Sequence, residues 1–196
     1  MLAGLITGLS LIVAIGAQNA YVLRQGLARD HVGLVVAICA LSDVALIVAG
    51  VSGIGTIVEK APWVLDVVRW FGVAFLTWYG VSTLLRARST ESLRAAGVAT
   101  SGRRAIAVRA LALTWLNPHV YLDTVLLLGS IANHEGTTGR WWFAIGACAA
   151  SGLWFSGLGY GARLASRVLA RPRAWQVLDV IIGLTMLAIA GVLATG

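Results

Sequence analysis

Long apolar runs separated by short basic loops set the pattern of this chain. Six stretches, near 2–23, 32–58, 64–85, 110–132, 141–162 and 174–195, are each long enough to cross about 30 Å of hydrocarbon at 1.5 Å per helical residue. This predicts an all-α integral membrane protein with six transmembrane helices. Composition agrees: hydrophobic residues fill 59% of 196 positions, mean hydropathy is +0.86 and 12% of residues are charged. An ordinary soluble domain carries about a quarter charged residues. The first run begins at the initiator Met without a basic n-region and exceeds the length of a signal-peptide core, so it is expected to be retained.

The net charge of +7 is unevenly distributed. With six spans threaded, loops one, three and five carry Arg24, Arg29, Arg86, Arg88, Arg94, Arg103, Arg104, Arg109, Arg163, Arg167, Arg171 and Arg173, whereas loops two and four carry only Lys60, Arg69 and Arg140. The positive-inside rule then places the odd loops in the cytoplasm and both termini outside. No basic groove interleaved with aromatics accompanies the charge, so nucleic acid is not an expected partner. The only long polar segment, 86–109, is rich in Ser, Thr, Ala and Arg and reads as a cytoplasmic linker.

The flanking halves, 1–85 and 110–196, echo each other. Cys39-Ala40-Leu41-Ser42 returns as Cys148-Ala149-Ala150-Ser151, and Gly50 and Gly159 keep the same offset. Trp63-Val64-Leu65-Asp66-Val67 returns as Trp175-Gln176-Val177-Leu178-Asp179-Val180, followed by Gly72 with Gly80 and by Gly183 with Gly191. Gln18-Asn19 against Asn117-Pro118 is a looser match. Three spans per half force the second half to enter from the opposite face. The expected architecture is two inverted-topology repeats of three helices, as in secondary transporters that bind substrate near the midplane between repeats.

One span is unexpectedly polar. Asn117, Pro118, His119 and Asp123 interrupt the run of Ala, Leu, Thr, Val and Ile between Arg109 and Ala132. A carboxylate near the middle of a bilayer-length helix costs roughly 2.5 to 3.5 kcal/mol unless it faces partners or water. Asn favours the N-cap and Pro the first helical position, so Asn117-Pro118 reads as a helix start inside a span. Pro118 would also free the carbonyl of Thr114, and the new helix would point N–H groups and a positive dipole end at a bound anion. His119 precedes Asp123 by four residues, and Asp43 follows Ser42 near the middle of span two. A helix N-terminus for an anion, with carboxylates for a cation, fits a zwitterion carrying an extra positive charge, which describes a basic amino acid.

Blander readings stay open beside this one. Pro118 in a membrane helix can serve only as a kink, and Asp43 or Asp123 can anchor a structural pair, for instance with His119, which is itself better read as structural support. Asp66, with Arg69 three residues on, and Asp179 read as interfacial or pairing groups. The glycines of spans three and six read as packing contacts, as do the aromatics Tyr21, Tyr121 and Trp115. Cys39 and Cys148, without CxxC spacing, read as reduced packing residues. The chain has no GxSxG, HExxH or P-loop, and its three histidines, His31, His119 and His134, do not cluster. Neither catalytic residues nor a metal site nor a cofactor is expected, and His- or Cys-rich loops of the kind expected in a metal exporter are missing.

These residues resemble a known family. Gln18-Asn19-Ala20-Tyr21-Val22-Leu23 with Gln25-Gly26, then Ser42-Asp43, then Leu113-Thr114-Trp115-Leu116-Asn117-Pro118-His119-Val120-Tyr121-Leu122-Asp123-Thr124, are similar to the lysine and arginine exporters of the LysE/ArgO family. Trp78-Tyr79-Gly80, Gly139-Arg140-Trp141 and Ala150-Ser151 extend the resemblance over nearly the whole chain. It implies a secondary exporter of basic amino acids from the bacterial cytoplasm, coupled to protons or the membrane potential, in the plasma (inner) membrane. It also implies substrate binding at Gln18, Asn19, Asp43, Asn117, Pro118 and Asp123, coupling at Asp43 and Asp123, and support from Ser42, His119 and Tyr121. The expected partners are the substrate, protons and the lipid bilayer; a homodimer stays open, as does the choice between lysine and arginine. An exporter of a neutral amino acid or a metal cation is the alternative within the same superfamily. One departure stands out: where the family reads Gly-Pro-Gln-Asn, this chain has Gly16-Ala17-Gln18-Asn19, which leaves a break in span one unpredicted.

Overall fold

The computed structural model describes residues 1–13, 16–53, 62–88, 102–166 and 172–195. Among them are eight helices and no strand. In chain order these are α1 (Leu2–Ile12), α2 (Ala17–Ala28), α3 (Val32–Val51), α4 (Pro62–Arg88), α5 (Arg103–Trp115), α6, α7 (Gly136–Ala165) and α8 (Pro172–Thr195). Helix α6 is composite, with an α turn at Pro118–Val120, a π-helical stretch at Tyr121–Leu128 and an α-helical end at Gly129–His134.

The apolar runs therefore become helices, but not six uniform ones. Among the described residues, α3, α7 and the Gln176–Thr195 part of α8 are long and apolar enough to cross a bilayer. Helices α1 and α2 make a fourth crossing if counted as one broken span, with their axes 83° apart. Helix α4 has the length, but Thr77, Trp78, Tyr79, Gly80, Ser82 and Thr83 dilute its apolar run. The fourth run is divided between α5 and α6. Helix α5 begins at Arg103, inside the segment expected to be linker, because Ala and Arg favour helix and no breaker intervenes before Trp115. The rest of that linker (89–101, with Arg94), the end of span two (54–58), Lys60, Arg167 and Arg171 lie outside the described residues.

Small residues let the helices touch. A Cβ on Gly4 would lie 1.9 Å from the Phe143 carbonyl oxygen, and one on Gly146 would lie 2.0 Å from that of Met1, so α1 lies almost backbone to backbone on α7. A Cβ on Gly26 would meet the Gly159 carbonyl oxygen at 2.5 Å, and one on Gly129 would meet the Gly50 backbone at 2.7 Å. Gly80 faces Gly183 across α4 and α8 in the same way. In a membrane, where lipid is as apolar as Leu, such close approaches hold helices together. Large apolar side chains, among them Trp63, Trp70, Phe71, Trp78, Leu153 and Leu164, point outward. The core gathers Tyr21, Leu76, Tyr79, Leu113, Phe155, Ile182 and Met186, with a second cluster around Ile47, Leu128, Phe143 and Ala147.

Two polar contacts tie distant helices. Arg24 on α2 donates through Nε to Asp179 Oδ1 on α8 at 2.9 Å, a largely buried ion pair that gives Asp179 its expected pairing role. The edge-to-face rings of Tyr21 and Tyr79, 6.1 Å apart, adjoin it. Arg69 does not pair with Asp66: its Nε donates to the Leu193 carbonyl, and Asp66 is exposed. The backbone acceptor on α8 lies toward the protein, whereas Asp66 points away from it. Cys39 is buried and Cys148 half-buried, both as free thiols.

Candidate functional site

Two helix breaks frame the site. Helix α5 ends at Trp115, and Leu116 still donates to the Ala112 carbonyl. Asn117 then caps α6 as its residue type suggests: its Oδ1 accepts from the His119 N–H at 3.2 Å, and its carbonyl accepts from the Val120 N–H at 3.1 Å. The first turn of α6 thus has its donors engaged, since Pro118 has no N–H. This differs from the expected row of free N–H groups. Nor is the Thr114 carbonyl left unpaired, because the Asn117 N–H reaches it at 3.4 Å. Tyr121 spans the break, its hydroxyl donating to the Trp115 carbonyl at 2.8 Å.

The other break separates α1 from α2, and here Gly16 is the N-cap, in extended conformation (φ −115°, ψ 174°), with no side chain to offer. Asn19 works from inside the new helix instead. Its Nδ2 donates to the Ile12 carbonyl at the end of α1 at 2.8 Å, while its Oδ1 accepts from Trp154 Nε1 at 3.2 Å.

Between the breaks lies a cavity of about 380 Å³, in the size range of small-molecule sites. Its polar lining is Gln18, Asn19, Asp43, Asn117, His119, Asp123 and Thr124; its apolar wall includes Leu128, Phe155, Ala188, Ile189 and Val192. The sequence-predicted residues Gln18, Asn19, Asp43, Asn117 and Asp123, from spans one, two and four and up to 105 positions apart, are brought together here. Asp43 is buried and its Oδ2 accepts from Ser151 on α7 at 2.8 Å. Asp123 is half-buried and, among the described residues, has no hydrogen-bond or ion-pair partner. His119, which lines the same cavity, makes no ion pair within 4 Å of Asp123 but acts on it electrostatically. No Lys or Arg is among the described residues that line the cavity, so the side chain there that can carry a positive charge beside the two carboxylates is His119. Among the described residues no group of three or more His, Cys, Asp or Glu gathers as a metal site.

Ser42 and Tyr121 do not line the cavity. Ser42 accepts from Trp115 Nε1 at 3.1 Å, which docks the end of α5 on α3. Pro118 opens α6. Sequence reasoning missed the π-helical stretch, in which the Thr124 hydroxyl bonds the Val120 carbonyl. A π-helix is often found at functional sites, and this one contributes Asp123, Thr124 and Leu128 to the cavity, next to His119 and Val120 of the preceding α turn. Ser151 and Trp154 were also missed as holders of Asp43 and Asn19. Ser151 closes the Cys148-to-Ser151 motif and Trp154 stands about one helical turn beyond it, which was the available signal.

Comparison with known proteins adds to this geometry. The sequence profile of the LysE type translocator family matches residues 9–196. A lysine exporter LysE of Corynebacterium efficiens is 40% identical, with 95% of this chain and 94% of that protein aligned. The arginine exporter protein ArgO of Salmonella schwarzengrund is 42% identical, with 97% and 91% aligned. That of an Enterobacter species is also 42% identical over the same shares. No solved structure matches the chain significantly.

Proposed function

Since the chain belongs to the LysE type translocator family, we propose that it is a secondary active exporter of basic amino acids, L-lysine, L-arginine or both, in the bacterial plasma membrane. The observation that carries this reading is the cavity itself: it lies between two broken helices and exposes Asp43 and Asp123 without any Lys or Arg. A small zwitterion with an extra positive charge complements that lining. A neutral substrate would leave one carboxylate without a partner at membrane depth.

Coupling follows from charge. Moving a cation outward against an inside-negative potential of 100 mV costs about 2.3 kcal/mol before any concentration gradient. Exchange of one proton inward for one substrate outward cancels that charge movement. Asp43 or Asp123 holds either a proton or the substrate's side-chain cation, and the two compete during alternating access. Gln18, Asn19, Asn117 and Pro118 complete the substrate site, with His119, Tyr121 and Ser42 supporting its shape.

The site also suits two inverted repeats of three helices, 1–85 and 110–196, joined by a linker at 86–109 and making six spans with both termini outside. The paired approaches of Gly26 to Gly159 and of Gly129 to Gly50 support this arrangement, because Gly50 and Gly159 are related by the repeat. A site within one chain is compatible with a monomer or a homodimer.

Uptake of labelled lysine, arginine, ornithine, threonine and cadmium into inside-out vesicles tests the reading. Movement of lysine or arginine driven by a pH gradient is the expected result; threonine or cadmium moving alone overturns it. Asp43→Asn and Asp123→Asn are each expected to abolish pH-driven counterflow, and parental rates in both would remove the assigned coupling role.

A further inference from the structure

We infer that the substrate's α-carboxylate binds at the N-terminus of α2, held by the side-chain amide and the backbone N–H of Gln18. This rests on the reading of the cavity as a transport site for a basic amino acid, and it adds which end of that molecule meets which helix.

The two half-helices that begin at the cavity differ in the donors they have left. In α6, Pro118 has no N–H, and those of His119 and Val120 are taken by the Asn117 side chain and carbonyl. In α2, a helix of 12 residues, Gly16 offers no side-chain cap and, among the described residues, the backbone N–H of Gln18 makes no hydrogen bond. The positive end of the α2 dipole therefore faces the cavity uncompensated. The second observation is Gln18 itself. It is 8% exposed and lines the cavity, where it approaches the Asp43 carboxylate and the Cys39 thiol, yet among the described residues its Nε2 makes no hydrogen bond of normal length and angle. Buried side-chain donors are rarely left unpaired, and a carboxylate at the start of α2 supplies the missing acceptor.

This placement orders the rest of the molecule. A carboxylate on Gln18 puts the adjacent α-ammonium next to Asp43, which Ser151 fixes from α7. The side chain then extends across the cavity, leaving its terminal cation for Asp123 on α6. The two acidic residues thus receive different amines.

Competition against labelled lysine uptake in inside-out vesicles tests the assignment, with unlabelled lysine, lysinamide and cadaverine as competitors. Lysinamide keeps both amines but carries a neutral amide in place of the carboxylate, and cadaverine carries neither. The parental protein is expected to bind both analogues about tenfold or more weakly than lysine, the worth of one charge-assisted hydrogen bond. Gln18→Leu should weaken lysine about tenfold while leaving lysinamide within about twofold, which also shows that the variant is folded. Gln18→Glu should weaken lysine further without weakening lysinamide, since it sets a carboxylate against a carboxylate. Equal losses for lysine and lysinamide in both variants, or a parent that does not discriminate between them, overturn the inference. A parent that moves neither lysine nor arginine overturns the transport reading itself, so the two failures are distinguishable.

Discussion

The α5/α6 break and the α1/α2 break both open onto the cavity, but they are built with different chemistry. At the first, Asn117 caps the helix it starts, and Tyr121 ties α6 back to the last carbonyl of α5. At the second, Gly16 caps nothing, and Asn19 reaches back to Ile12 from within α2. The carboxylates near them differ as well: Asp43 is held by Ser151, while Asp123 has no holder among the described residues. The contrast teaches that two breaks opening onto one cavity need not share a task. One is closed on itself and frames the cavity, and the other keeps its donors for a ligand.

The comparison can be broken hardest at the glycines that set the second half of each broken pair. Gly26→Leu drives a side chain into the Gly159 carbonyl, and Gly50→Leu does the same to the Thr124 and Val125 carbonyls. Each should cost about 3 kcal/mol or more, because backbone yields less than side chains; loss of monodisperse protein and a lowered Tm in detergent are the readouts. Ser151→Ala comes next. It frees Asp43 from its holder and makes it like Asp123, and loss of one hydrogen bond to a charged group, about 1.5 kcal/mol, should lower lysine uptake roughly tenfold. Asn117→Ala removes the cap that distinguishes α6 from α2 and should destabilise the protein by about 1 kcal/mol, with Asn117→Ser restoring most of it. The smallest effect is expected from Ala17→Pro, which gives α2 the first residue that α6 has. Gly16 already sits in the extended region favoured before proline, so thermal unfolding should be unchanged or raised by about 0.5 kcal/mol. A large loss there would mean that α2 does not begin where it is placed.

The sequence made one of these breaks legible and hid the other. Asn117-Pro118 carries both halves of a helix-start signal, so its position and cap could be read directly. Gly16-Ala17 carries neither a capping side chain nor a proline, and Gly is as ordinary in a packed membrane helix as at a break. The gathering of Gln18, Asp43, Asn117 and Asp123 followed from family resemblance and from the cost of polar groups in an apolar setting. Their division of labour did not, because it depends on which N–H groups are already engaged. The π-helical stretch at Tyr121–Leu128 was beyond reach as well: its run of Leu, Val and Thr carries no local signal for a wider turn. Six apolar runs were equally plain, yet a run is only a length of oil-soluble chain. Breaks, Trp and Tyr decided which runs became uninterrupted apolar helices.

The Arg24–Asp179 pair has a bearing on how the molecule is made. Arg24 belongs to α2 and Asp179 to α8, 155 residues later in the chain. Until the final helix emerges from the ribosome and inserts, the guanidinium has no carboxylate to meet, and an uncompensated buried charge is strongly destabilising, by about 3 to 5 kcal/mol. Helix α2 therefore cannot gain this pairing before α8 is in place. A nascent chain that stops short of Pro172 lacks the group that seats its own beginning, which gives membrane quality control a ready mark for incomplete copies.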